Sequence, residues 1–346
     1  MRKIVAAAFL MVALLFGGPW LMVKDAEPEE TEKPARLSAD AEQTKDTPKA
    51  QSKTQKKTAK TTADEQVTLR VWNGKKTVEM TMAEYLPGVV RGEMPASFEP
   101  EALAAQAVAE RTYIYYQMAG GRKDNHPDAD ICMDHTCCNA WVSEKQARKN
   151  WGKNADAYEK KIRQAVQSTD GKVMLYDGAP ILAVFHSSSA GVTAGSGDVW
   201  VSDLPYLTSV KSPETADNVP NYYSVNTFSA DEFRTAFLAS HPEAELSGSP
   251  ENWIGGISRS GSDRVETAEI GGVSVSGTEL REIFSLRSTC FTVEVSGGEI
   301  TFHVTGYGHG VGMSQYGANE LASEGKSWQD ILHWYYTDVT IADYAG

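Results

Sequence analysis

The sequence predicts an α+β fold: helices mixed with antiparallel hairpins in a crescent or cleft-shaped region, behind an N-terminal transmembrane helix. Three observations carry that prediction. Alternating strand-like runs come in pairs about the turn dipeptides Asn73-Gly74, Asp177-Gly178, Gly271-Gly272 and Gly297-Gly298. The helical stretches do not alternate one for one with strands, as a parallel sheet would require. Ile4 to Val23 is an uninterrupted apolar run, long enough to cross a bilayer core.

Arg2 and Lys3 precede that run and Lys24-Asp25-Ala26-Glu27 follows it. The leading positive pair makes residues 1–3 a cytoplasmic tip and residues 4–23 a single-pass anchor. A cleaved signal peptide is the competing reading. It has no clear small-x-small cleavage site here, and Trp20 and Met22 persist to the far end. Residues 24–65 hold almost no large apolar side chain, cannot bury a core, and read as a disordered tether. The globular part is 66–346, with an insert subdomain expected at about 212–300.

Within it, Val67–Trp72 and Thr77–Met80 form the first hairpin, and Thr81-x-x-Glu84 is a capping box opening a short helix toward Val90. Gly92 lets the backbone turn sharply into Glu93. Pro100 suits a first helical position, and Glu101 lies in the first turn. Leu103, Ala107, Arg111, Ile114 and Met118 then recur at amphipathic spacing until Gly120-Gly121. A helix is expected at about 155–168, strands at Lys172–Tyr176 and Ile181–Phe185, and a helix near Asp231–Ala239 among turn-rich polar loops. Hairpins at 265–275 and 291–305 follow, and Ser327 caps a last helix, Trp328–Tyr336.

The chain has 346 residues and a net charge of −13. Residues 1–66 carry 11 Lys and Arg and 10 Asp and Glu, which leaves 22 and 36 for the rest, a net of −14. The acidic folded part argues against nucleic acid as a partner and against polyanions in general, and allows a neutral polymer such as a glycan.

Four constellations could carry chemistry. Glu93 sits between apolar neighbours and a Met-Pro corner, a setting that disfavours its charged form and suits a proton donor near neutral pH. Gln106 and Arg111 lie on the helix beside it. The run Gly306–Gly317 holds Tyr307, His309 and Gln315 between glycines. It lacks the dinucleotide fingerprint and the P-loop Lys-Ser/Thr, and its backbone and aromatics suit close approach to a sugar. His186-Ser187-Ser188 ends a strand, but no Gly-x-Ser-x-Gly elbow surrounds it, so these residues read as substrate contacts. His126, Cys132 and Cys138, with His135 and Cys137 nearby, suit a structural zinc. A disulfide is the alternative, and Cys137 could stand in for Cys138.

Tyr85-Leu-Pro-Gly-Val-Val-Arg-Gly-Glu93-Met-Pro-Ala, Leu103-Ala-Ala-Gln106-Ala-Val-Ala-Glu-Arg111-Thr-Tyr, Phe185-His-Ser-Ser-Ser, Asp203-Leu-Pro-Tyr206-Leu and Gly306-Tyr-Gly-His309-Gly-Val-Gly-Met-Ser-Gln315-Tyr-Gly-Ala together resemble stage II sporulation protein D. The resemblance covers about residues 66–340. It implies a peptidoglycan lytic transglycosylase that cleaves MurNAc-GlcNAc bonds of peptide-stripped glycan strands during forespore engulfment. It also implies a membrane-anchored location on the mother-cell side of the septum, with the sporulation amidase (stage II sporulation protein P) and stage II sporulation protein M as partners. The family's catalytic Glu falls on Glu93 and its helix Arg on Arg111. Two departures stand out. Many relatives carry Lys after Tyr-Leu, where this chain has Thr208, with Lys211 a substitute. The Cys-rich loop resembles that of clostridial-type members, for which zinc is plausible.

These readings combine into one expectation. Glu93 is the single acid and base; Arg111, Gln106, His186, Ser188, His309 and Gln315 hold the sugar; Tyr206 and Tyr307 stack on it. Two other classes remain open: a non-catalytic glycan-binding amidase enhancer, and a zinc hydrolase, which lacks a His-x-x-Glu-type helix.

Overall fold

Pro100–Gly120 is an Ala-rich helix of 21 residues that opens on its proline and stops at Gly121, whose φ is 87°. The computed structural model, which describes residues 61–344, packs the rest of the larger core around it. Every residue from Ala102 to Thr112 is buried. The helix therefore has no solvent face over this stretch, and the amphipathic reading is corrected: it is enclosed all round. The helices Met82–Glu93, Ala155–Ser168, Gln315–Ser323 and Trp328–Tyr335 and the strand Lys172–Tyr176 all pack on it. Small alanines allow that close approach. One consequence is chemical: Gln106, Glu110, Arg111 and Thr112 lie inside a core, where each must find a partner.

A second core lies between two three-stranded antiparallel sheets, one ordered Val273–Ser276, Val265–Ile270, Ile254–Arg259 and the other Phe291–Ser296, Glu299–Thr305, Tyr223–Ser229. It is built from aromatics, with Phe233 stacked on Phe284 at 4.6 Å and Phe302 against Phe291 at 5.4 Å. Helices and antiparallel sheets make the fold α+β, as the paired turn signals predict.

The expected anchor at 4–23 and most of the tether lie outside the described residues. Among those described, no helix is long and apolar enough to cross a membrane. The tether's last residues are ordered: Ala63–Gln66 forms a helical turn with a complete capping box from Thr62. Its N–H groups at Ala63 and Asp64 donate to Asp170 at 2.8 and 2.9 Å. The expected strand Ile181–Phe185 is not continuous; only Ala179–Pro180 and Phe185–His186 pair. Strand Tyr223–Ser229, within what reads as polar loop in the sequence, and strand Ile254–Arg259, to which the sequence reading assigns no element, complete the two sheets.

The strand Glu299–Thr305 leads straight into the glycine run. There Met313–Ser314 pairs in parallel with Phe185–His186, and Ser188 bridges Tyr307. The glycine run thus lies against the strand that carries His186 and links the aromatic core to the helix Gln315–Ser323.

Candidate active site and metal centre

Glu93 is the last residue of the helix Met82–Glu93. Gly92 is helical, so the expected sharp turn is corrected. The reason for glycine there is space: a Cβ at Gly92 would stand 2.5 Å from the Ala140 carbonyl oxygen, and one at Gly88 would stand 2.0 Å from Trp141 Nε1. Four residues apart, the two glycines clear one helix face for the segment 140–142. Val142 N–H donates to Gly88 O at 2.9 Å, and Ala140 N–H donates to Glu93 Oε1 at 2.5 Å.

Glu93 is half-buried, and burial raises its carboxyl to about 7, against the pull of the Ala140 N–H. Gln315 Nε2 donates to Glu93 O at 2.9 Å and toward Gln106 Oε1 at 3.5 Å. Gln106 Nε2 in turn donates to Glu110 Oε1 at 2.8 Å, and Asn139 Nδ2 to Glu110 Oε2 at 2.6 Å. Glu110 is fully buried; desolvation, then the charge of Glu93, hold its carboxyl well above the usual range. Of the expected grouping Glu93, Gln106 and Arg111, the first two are brought together, and Gln315 joins them from the glycine run. Glu110, Asn139 and Ala140 were not foreseen, although Gln106 and Glu110 at i, i+4 on one helix are legible as a pair.

Arg111, the third member of that grouping, lies elsewhere, and its sequence assignment as a sugar contact is corrected. Its Nε and Nη2 donate to Asp64 at 2.8 and 2.7 Å, and Nη1 to Lys172 O at 3.1 Å. Fully buried, it clamps the end of the tether onto the core and offers a substrate nothing. Tyr206 is corrected likewise: it is buried against Tyr176, and its hydroxyl accepts from Leu182 N–H at 3.2 Å.

The remaining expected contacts gather along the glycine run. Ser188 and Tyr307 exchange backbone hydrogen bonds of 3.1 and 2.8 Å, and the Arg287 guanidinium sits 4.4 Å from the half-buried Tyr307 ring. His186 is buried, with Nδ1 at 3.2 Å from Val311 O; His309 is half-buried, its Nδ1 accepting from Val311 N–H at 3.1 Å. Burial pushes both imidazoles down to about 3, so both are neutral near pH 7. Their ring centroids are 5.8 Å apart, and Trp200 stands 5.4 Å from His309.

The metal expectation gains a ligand. One donor atom each from His126, Cys132, Cys137 and Cys138 lies within 4.8 Å of the others, and the cysteines are free thiols. Cys137 joins Cys138 and does not replace it. Cys137 Sγ and Cys138 Sγ are 3.8 Å apart, close to the edge of a tetrahedron built on Zn–S bonds of about 2.3 Å. His126 Nδ1 lies 3.1 Å from Ala129 O. A hydrogen bond there fixes the tautomer with the Nε2 lone pair toward the sulfurs, as metal-bound histidines are usually held. A Cys3His set of this shape could hold a zinc-like ion. The next residues after Cys138 are Asn139, which donates to Glu110, and Ala140, which donates to Glu93.

This geometry meets a clear set of relatives. Residues 71–176 match the SpoIID family, described as stage II sporulation protein. Stage II sporulation protein D of Bacillus amyloliquefaciens is 40% identical over 263 residues, 76% of this chain and 74% of that protein. The chain belongs to the stage II sporulation protein D family. The Bacillus subtilis member is 36% identical over 346 residues, 99% of this chain and 96% of its own. A more distant relative, the amidase enhancer of Bacillus subtilis, is 30% identical over 75% of this chain and 40% of its own length. The family's names carry a role in sporulation; the chemistry has to be argued from the site.

Proposed function

We propose that the protein is a lytic transglycosylase that cuts MurNAc-GlcNAc bonds of peptidoglycan glycan strands. The observation that supports this best is Glu93: a half-buried carboxyl at about 7, one oxygen fixed by Ala140 N–H, in a site whose second carboxyl, Glu110, is sealed in the core with both oxygens occupied. Two-carboxylate hydrolysis needs the second group near the scissile bond, on the sugar or on its attacking water. Glu110 is placed for neither role.

One acid suffices when the nucleophile is on the substrate. Protonated Glu93 gives its proton to the glycosidic oxygen as the C1–O bond of MurNAc breaks. The Glu93 carboxylate then takes the proton of the MurNAc C6 hydroxyl as its oxygen bonds to C1. A 1,6-anhydro ring and a free GlcNAc hydroxyl result, with no water consumed and Glu93 returned to its starting state. The intramolecular nucleophile supplies the positioning that a bound water would otherwise need. Gln315 and Ala140 hold Glu93 at its backbone and carboxyl, so its aim is set by hydrogen bonds at both ends.

His126, Cys132, Cys137 and Cys138 would hold a zinc-like ion. With four protein ligands such an ion would supply cross-linking alone, and would fix the 139–140 segment whose donors hold Glu93 and Glu110. The single-pass anchor, an extracytoplasmic site beside the septum, and the sporulation amidase and stage II sporulation protein M as partners belong to the same proposal, and the family resemblance supports them.

Glu93→Gln keeps the shape and removes the proton. It is expected to lower release of anhydro-muropeptides by at least about a hundredfold, the usual scale of a general acid, while strands still bind. Cleavage by the unaltered enzyme should fall as pH rises past about 7, where Glu93 loses its proton. An undiminished Glu93→Gln rate sinks the assignment. The match to an amidase enhancer favours a second reading, a glycan-binding module without chemistry. Strand capture with no new anhydro ends from the unaltered protein would select it.

A further inference from the structure

Five large apolar or aromatic side chains stand exposed among the described residues: Met118, Val201, Tyr223, Val225 and Trp334. Single exposed side chains of this kind are ordinary. Tyr223 and Val225 are not single. They lie two apart on the strand Tyr223–Ser229, so both point to the same face of its sheet. They are 65% and 61% exposed, while Phe228 points the other way and meets Phe284 and Phe302 of the aromatic core.

A hollow of about 280 Å³ opens to solvent beside this pair, at the low end of ligand-sized clefts. Its wall includes Tyr223, Val225, Thr292 and His303 from this sheet, and Arg259 and Asp263 from the hairpin of the neighbouring sheet. His303 is the cross-strand partner of Val225 on one side and of Thr292 on the other. The charged groups are matched within the wall. Arg259 donates to Asp263 O at 3.0 Å and to Phe291 O at 2.6 Å, and stands 3.6 Å from the Asp263 carboxylate. His303 Nε2 is 3.5 Å from Glu294 Oε2. What is left to offer a ligand is an aromatic ring, an apolar side chain and hydroxyls. That set suits a neutral polyhydroxylated molecule better than an ion: the ring covers the C–H face of a sugar, and the hydroxyls meet its own. The acidic folded part argues in the same direction.

The hollow is continuous with the glycine run. Tyr223 pairs with Thr305, the last residue of the strand that feeds the run. Gly306 N–H donates to Tyr222 O at 2.9 Å, and Tyr222 and Tyr223 meet edge to face at 5.1 Å. Arg287 donates to Asn221 O at 3.1 Å and lies over the Tyr307 ring. Residues 221–223 therefore join the exposed pair to Tyr307, and the same run carries Gln315, which bonds to Glu93. A polymer is the ligand that can meet both places at once. We propose that Tyr223, Val225 and His303 form a distal subsite for the glycan strand, holding sugar units beyond those cut at Glu93. The subsite rests on the glycan-cleaving reading and deepens it: it makes strand length a determinant of binding. A strand held at one place is presented to the other at high local concentration, and such remote contacts add binding without touching the reacting atoms.

The test uses the full chain carrying Glu93→Gln, so that strands bind uncleaved. The short probe is the tetrasaccharide of alternating MurNAc and GlcNAc; the long probe is the polymeric strand. The long probe is expected to bind at least about tenfold more tightly, the gain of a second linked contact. Adding Tyr223→Ala should cut that advantage by about three- to tenfold, the scale of one lost aromatic contact. Tyr223→Phe keeps the ring and should keep most of the advantage. Each advantage is a ratio taken on one protein, so a loss of folded material cancels from it. No advantage before Tyr223 is changed overturns the subsite. So does an advantage that survives Tyr223→Ala, or one that Tyr223→Phe loses as fully as Tyr223→Ala. Digestion by the unaltered protein separates the two proposals. Missing anhydro ends with the Tyr223-dependent advantage intact removes the chemistry and keeps the subsite; anhydro ends with no advantage does the reverse.

Discussion

The buried basic side chains around the Pro100–Gly120 helix and those at the glycine run obey opposite rules. Around the helix every buried arginine is matched: Arg91 with Glu159, Arg111 with Asp64. At the glycine run Arg264 and His186 keep unpaired polar atoms at 3% and 4% exposure. The first region is internally complete and behaves as scaffold. The second leaves buried polar atoms without a hydrogen-bond partner. Burial alone therefore says little about what an arginine does; the account of its partners separates a clamp from a guanidinium held by packing.

The largest expected contrast is in stability. Arg111→Met leaves Asp64 buried with no cation, and breaking a buried pair in this way costs about 3–5 kcal/mol. Arg264→Met removes a guanidinium whose Nε and Nη1 hold no partner and which Glu214 and Asp198 attract only through space, so its cost should be smaller than that of Arg111→Met. Urea unfolding of both variants in the absence of glycan makes the comparison. If Arg264→Met proves as damaging as Arg111→Met, the guanidinium is structural and the contrast collapses.

A smaller effect concerns the metal loop, which joins the complete region to the site. Cys137→Ser removes one of the four side chains that could hold an ion. Zinc affinity should fall by at least about tenfold, since even outer-shell losses reach 10–100-fold. Amide exchange at Asn139 and Ala140 should speed up with it, because these residues follow Cys138 directly. Zinc affinity that is unmoved would remove Cys137 from the ligand set and return the loop to the three residues read from spacing.

How much of this could be read in the chain depends on the range of the interaction. Glu93 was legible because its apolar neighbours and Met-Pro corner are adjacent in sequence. His126, Cys132 and Cys138 were legible because they share one short loop; adjacent Cys137 looked like an alternative to Cys138 because spacing carries no angles. Arg111 was misread for an equally physical reason. Helical periodicity places it on a face but cannot say that every face is covered, nor that its carboxylate comes from Asp64, 47 residues upstream in what composition marks as tether. Arg264 drew no notice at all: it stands in a polar turn, and only the fold brings it to Gly310. The strand Tyr223–Ser229 was hidden similarly, since its partner strand starts at Glu299.

The mildest effect is the most diagnostic of what the site costs the fold. Glu93 has an ordinary value of 4.5 and sits at about 7 in the folded protein. At pH below 4.5 both states hold the proton and the group imposes no penalty. Between 4.5 and 7 the unfolded chain releases its proton while the folded chain keeps it, so stability falls as pH rises, and the full loss is in place above 7. The shift is worth at most about 3 kcal/mol and less at a group that keeps some contact with solvent, so roughly 1–3 kcal/mol is expected. Glu93→Gln should therefore be more stable than the unaltered protein at pH 8 by about that amount, and equal to it near pH 4. Melting curves across this range decide the matter: a difference that does not grow with pH would mean that Glu93 is ionised in the fold like a surface carboxylate, and the acid would have to be sought elsewhere in the site.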